Sequence, residues 1–120
     1  MKQCITLKKL GGFYNVYNDD TYILYYLFHY KINNNKSGFP ASAYHKVING
    51  LEEKQISYFV EGKEDKRDFK KKNRYEFFLN KGKKKVEREY KASHIMEEIK
   101  KLKETELDEL LTIIENYVIK

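Results

Sequence analysis

The chain has 120 residues, a formal net charge of +6, 41% hydrophobic residues, 11 Tyr and 7 Phe but no Trp. That length suits one hydrophobic core and that composition can fill it, so a single domain is expected, neither a linker nor a low-complexity segment. The lone Cys4 excludes an internal disulfide framework, and no Cys/His grouping has metal-ligand spacing, so no metal and no cofactor is expected.

Residues 4–18 are rich in Ile, Thr, Leu, Phe, Tyr and Val and read as strand, interrupted by a bulge or bend at Gly11-Gly12. Asn18-Asp19-Asp20-Thr21 offers capping oxygens and negative charge where a helix would begin. Residues 22–30 are apolar on almost every side, which predicts a helix buried on most faces, with a buried strand as the competing reading. Residues 33–38, Asn-rich and ending in Gly, predict a loop. Phe39-Pro40 must be extended or turning. Ser42 then caps a helix to about Lys54, with Tyr44, Val47, Ile48 and Leu51 at helical spacing.

Residues 55–61 suit an interior strand, and 63–73 a charged connection. Residues 74–79 and 84–90 alternate about Asn80-Lys81-Gly82-Lys83 and predict a β-hairpin, 74–90. Ser93 is expected to start a helix, and Thr105 with Asp108 a second, whose core-facing stripe is Leu107, Leu110, Leu111, Ile114, Tyr117 and Val118. The expected architecture is α/β (α+β): a mixed β-sheet flanked by helices over residues 1–92, with helices 93–120 packed on the same domain. The longest apolar run has nine residues against roughly 20 for a membrane span, and residues 1–9 are too short an apolar stretch for a signal peptide. A reducing, cytoplasmic setting with no membrane partner is expected.

Charge is unevenly placed. Residues 63–91 carry 13 Lys/Arg against 6 Asp/Glu, whereas 92–120 carry 4 against 7. The basic block, with triplets Lys70-Lys71-Lys72 and Lys83-Lys84-Lys85 and with Arg74, is suited to neutralising phosphates. Its aromatics Tyr75, Phe77 and Phe78 fill a core or stack bases. His29, His45 and His94 stand apart from any carboxylate or Cys at ligand spacing, and no phosphate loop, nucleophile elbow or acid/base pair occurs, so no enzymatic activity is expected.

Two stretches together resemble the mismatch-recognition domain of the DNA repair protein MutS. Gly12-Phe13-Tyr14-Asn15-Val16-Tyr17-Asn18-Asp19-Asp20 is similar to its "G-x-F-Y-E-x-(F/Y)…D-A" opening, and Gly38-Phe39-Pro40-Ala41-Ser42-Ala43-Tyr44-His45 to its "G-(V/F)-P-x-H-x" segment. The helix 47–54 and strand 56–61 follow at that family's spacing, so the resemblance covers residues 7 to about 90. It implies that fold, duplex DNA as partner, and Phe13 as a ring wedged beside a mispaired base. Asn15 stands where the family has a base-bonding Glu, so a hydrogen-bonding group is kept without its charge. The connector, clamp and ATPase domains of that family do not fit in this length, so ATP-driven signalling is not expected of this chain alone. Lys8 and Lys9 lie close in sequence to the wedge and would contact phosphates with the basic block.

Two other readings remain. The acidic, apolar-striped residues 93–120 suit a homodimer or protein-partner surface through Leu110, Ile113, Ile114 and Tyr117, making the chain an adaptor, and its Asn, Lys, Ile and Tyr richness suggests an AT-rich bacterial genome or mobile element. An RNA-binding domain or RNase gains from the basic aromatic segment but lacks a His/Glu/Arg catalytic grouping.

Overall fold

The computed structural model describes residues 2–63 and 65–118, with every side chain among them except that of Lys72. The chain forms two compact units, Met1–Val86 and Glu87–Lys120. The first is a mixed α/β unit built on a five-stranded sheet. Strand β1 (Ile5–Leu10) turns through Gly11-Gly12 into β2 (Phe13–Tyr17), with Lys9 opposite Tyr14 and Leu10 opposite Phe13. The interruption foreseen at the two glycines is therefore a two-residue hairpin loop, and Gly11 takes the φ of +59° that such a tight turn requires. Helix α1 (Asp19–Phe28) follows, and no residue from Asp20 to Phe28 is exposed. Its first turn carries Asp19 and Asp20, yet Asn18 makes no side-chain cap.

Strand β3 (Lys36–Pro40) pairs antiparallel with β2, so the loop expected over 33–38 gives way to strand from Lys36 onward. The Asn-rich composition misled there; Asn34 and Asn35 do take left-handed φ values, but the turn ends sooner. A 3-10 turn (Ala41–Ala43) leads into α2 (Tyr44–Lys54), without a side-chain cap from Ser42. Strand β4 (Tyr58–Glu61) runs parallel to β1 and antiparallel to the short β5 (Lys66–Arg67), giving the order β3-β2-β1-β4-β5.

Paired strand residues share a face. Ile5, Leu7, Tyr14, Val16, Phe39, Tyr58 and Val60 therefore face one way, into a core with Ile23, Leu24, Val47, Leu51, Tyr75 and Phe78 from the helices. The opposite face carries Lys8, Leu10, Phe13, Lys36, Gly38, Pro40, Phe59, Glu61 and Lys66, all exposed.

The expected hairpin 74–90 is absent. Residues 72–99 form one helix, α3 (Lys72–Ile99), and Ser93 lies inside it rather than at its start. The alternation was a coincidence of aromatic placement: Tyr75, Phe78, Leu79, Gly82 and Val86 also recur at helical spacing, and none of them is exposed. Gly82 has no positive φ and serves helix packing, because a Cβ there would overlap the carbonyl of Tyr22 on α1. The hydroxyl of Tyr75 donates to Asp20 Oδ1, and Asp20 Oδ2 accepts from the Thr6 N–H at 3.0 Å, tying α3, α1 and β1 together in the buried interior.

The second unit holds the rest of α3 and α4 (Glu104–Val118). Helix α4 begins at Glu104, a residue before the expected start, with Glu104 and Glu106 in its first turn. The stripe expected to face a core does not: Leu107 and Leu110 are half-buried, and Leu111, Ile114, Tyr117 and Val118 are exposed. A 15-residue helix in a two-helix unit has too few neighbours within that unit to cover so wide a stripe.

Candidate nucleic-acid interface

The first unit carries 18 Lys/Arg against 9 Asp/Glu. Its β1–β2 turn ends in an apolar tip on the exposed face of the sheet. Phe13 is 55% exposed, and its register partners are Leu10, 56% exposed, and the exposed Pro40. The Ala41 N–H donates to the Gly12 carbonyl at 2.8 Å, so the 3-10 turn braces the loop that presents the ring.

Cations lie at this end of the sheet, Lys8 on the face of Phe13 and Lys9 and Lys63 across the sheet beside the core rings Tyr14 and Tyr44. Lys8 lies 3.8 Å from Glu61 Oε2 and 5.8 Å from the centre of the Tyr17 ring. Lys9 approaches the Tyr14 ring at 5.9 Å. Lys63 follows β4 through Gly62, whose φ is +90°, and sits 4.2 Å over the Tyr44 ring. Lys63, Leu10 and Pro40 were not singled out from the sequence; only the parallel β1–β4 register and the β2–β3 pairing bring them to this end.

Asn15 shares the face of Phe13 but is only 6% exposed, with its side-chain oxygen in the space left by the missing Cβ of Gly38. In this arrangement it is a packed strand residue rather than an open base reader. No protein-family model, curated protein or solved structure matches this chain.

The basic block is not gathered round Phe13. The Phe69 N–H donates to Ser57 Oγ, Lys71 Nζ to Gln55 Oε1 at 2.6 Å, and Arg74 Nε to the Lys54 carbonyl at 2.9 Å. These anchors precede β4, at the Ile5 end of the parallel β1–β4 pair. Lys70, Lys71 and Arg74 are thus separated from the Leu10–Phe13 tip by the length of β1, about 17 Å. The Lys72 side chain lies outside the described residues. On α3, Lys83 lies 3.9 Å from Asp19, Lys85 bonds His29 Nδ1 at 2.8 Å and covers the Tyr25 ring, and Lys84 is exposed. Tyr75 and Phe78 are core residues, whereas Phe77 is exposed with Lys81 over its ring at 5.4 Å.

Cys4 is half-buried, and burial pushes its thiol above the usual range, which disfavours the reactive thiolate. Among the described residues no group of three His, Cys, Asp or Glu could hold a metal, and no helix is long and apolar enough to cross a membrane.

Proposed function

We propose that this chain binds duplex DNA, without catalysing a reaction, as a domain of the MutS mismatch-recognition type, placing Phe13 against a distorted or mispaired step. The observation that carries the reading is the exposed ring of Phe13 at the tip of a braced hairpin loop, beside Leu10 and Pro40, with Lys8 on the same face and Lys9 and Lys63 at the same end of the sheet. An apolar wedge between base steps costs a few kcal/mol of unstacking, least where pairing is weak, and cations at that end of the sheet offset that cost. The two stretches that carry the resemblance also meet in space, Phe13 pairing with Pro40 in the β2–β3 register. The buried Asn15 argues that any preference among duplexes comes from the wedge and from deformability rather than from base hydrogen bonds.

Fluorescence anisotropy with matched and mismatched duplexes tests this. Three phosphate contacts, one for each lysine at that end of the sheet, predict about a 40-fold loss of affinity between 50 and 200 mM salt. Absence of binding at low salt, or binding indifferent to salt, refutes the reading.

A second reading, an interaction module, rests on α4, where Leu111, Ile113, Ile114, Tyr117 and Val118 are exposed. It predicts a homodimer by light scattering, dispersed by Ile114→Glu. A monomer at high protein concentration removes it.

A further inference from the structure

The cations that Phe13 does not gather line a different feature. A cleft of about 750 Å³ opens at the other end of the sheet, along β4 and β5 and beneath Gln3 and Cys4. Its size falls within the range of small-molecule sites, about 300–1,000 Å³. Lys66, Arg67, Lys70 and Lys71 line it, against one acidic residue, Asp68.

These charges are poorly neutralised within the chain. Among the described residues, neither Lys66 nor Lys70 has an acidic group within 4.0 Å. Lys71 bonds the neutral amide of Gln55, and Arg67 lies 3.9 Å from Glu52. One oxygen of Asp68 accepts the backbone N–H of Lys70 at 2.8 Å. That bond holds Lys70 at a φ of +55°, a conformation glycine or asparagine adopts at lower cost, so a lysine there keeps its charge against local preference. Helix α3 starts just after Lys71 with no acidic residue in its first turn, leaving the positive end of its dipole without the usual complement. Phe59, 39% exposed, forms part of the same wall.

Cationic side chains, a helix start without acids and an exposed ring together fit one kind of ligand. We propose that this cleft binds a nucleotide, its base stacked on Phe59 and its phosphate held by Lys66, which shares the Phe59 face, with Lys70 and Lys71, while Arg67 turns to the other face toward Glu52. The site is separate from the Phe13 tip and does not depend on the duplex-binding reading. The nucleotide is either free or the 5′-phosphorylated end of a strand, since both present the same chemistry.

NMR titration of the full chain at low salt tests this with adenosine 5′-monophosphate, inorganic phosphate and adenosine. The monophosphate should shift the amides of residues 57–59 and 66–71 and bind at least tenfold more tightly than phosphate, while adenosine leaves them unmoved. Lys70→Gly should raise the melting temperature, because it relieves the left-handed backbone, yet weaken the monophosphate roughly tenfold. Lys66→Gln should weaken it comparably, and Phe13→Ala should leave it unchanged. A 5′-phosphorylated tetranucleotide that binds as tightly as the monophosphate assigns the site to strand ends; preference for the monophosphate assigns it to free nucleotide. Equal affinity for phosphate and monophosphate, unaltered binding in both cation variants, or shifts scattered over lysines elsewhere would overturn the proposal.

Discussion

Replacing Phe13 with alanine separates a presented ring from a core ring. The side chain is 55% exposed, so less than half of its surface is buried. For a phenylalanine of about 200 Å² that is about 90 Å², or about 2 kcal/mol at 25 cal/mol per Å² as an upper bound. A Phe→Ala change in a packed core costs about 3–5 kcal/mol. Phe13→Ala should therefore remain folded, with a loss of 2 kcal/mol or less by urea denaturation. Its affinity for a mismatched duplex should fall by the worth of one stacked base, about 1–3 kcal/mol or roughly 5- to 150-fold, while affinity for matched duplex changes little. The two measurements belong in one buffer, with denaturation followed by circular dichroism and binding by anisotropy. A stability loss above 4 kcal/mol would make Phe13 a core residue, and an unchanged mismatch preference would remove it as the wedge.

Three further outcomes test the fold beneath the site. Gly82→Ala should lower the melting temperature, by the equivalent of about 1–3 kcal/mol, because the new Cβ meets the Tyr22 carbonyl, whereas an open helix position would gain about 1 kcal/mol. Tyr75→Phe should cost about 1.5–3 kcal/mol in urea denaturation, since it removes a donor from the buried carboxylate of Asp20. Burial, then the hydroxyl's bond to Glu52 and that residue's charge, push Tyr58 up to about 12, so its contribution to stability is complete below about pH 10 and is lost as pH rises toward 12. Urea midpoints taken across that window should fall, and fall less steeply in Tyr58→Phe; an equal slope in both proteins would contradict the assignment.

What could be read from the residues depended on how local its cause was. The Gly11-Gly12 interruption, the helix starting among Asp19 and Asp20, and the stripe Tyr44, Val47, Leu51 all follow from neighbours within one or two turns, and they stand where expected. The hairpin 74–90 failed because Tyr75, Phe77 and Leu79 fit a period of two as well as Tyr75, Phe78, Leu79 and Gly82 fit 3.6. A contact 60 residues away, Gly82 against Tyr22, marks the second as the one that packs. Strand β5 comprises two charged residues that only pairing with β4 identifies. At the candidate site, the exposed Phe13 ring agrees with the presented ring that the resemblance implies, whereas an aromatic in a strand ordinarily faces the core. The surroundings were less legible. The lysine triplets looked like the natural companions of the ring, yet chain reversal after β4 brings Lys63 to that end of the sheet, on the core side beside Tyr44, and carries Lys70 and Lys71 to the far end.

The most direct test of DNA binding at the Phe13 tip is a map of amide shifts on adding a short mismatched duplex at low salt. Changes concentrated on residues 8–15, 39–42 and 61–63 are the predicted result. A footprint confined to residues 104–118, or none on the β1–β2 turn, would contradict it.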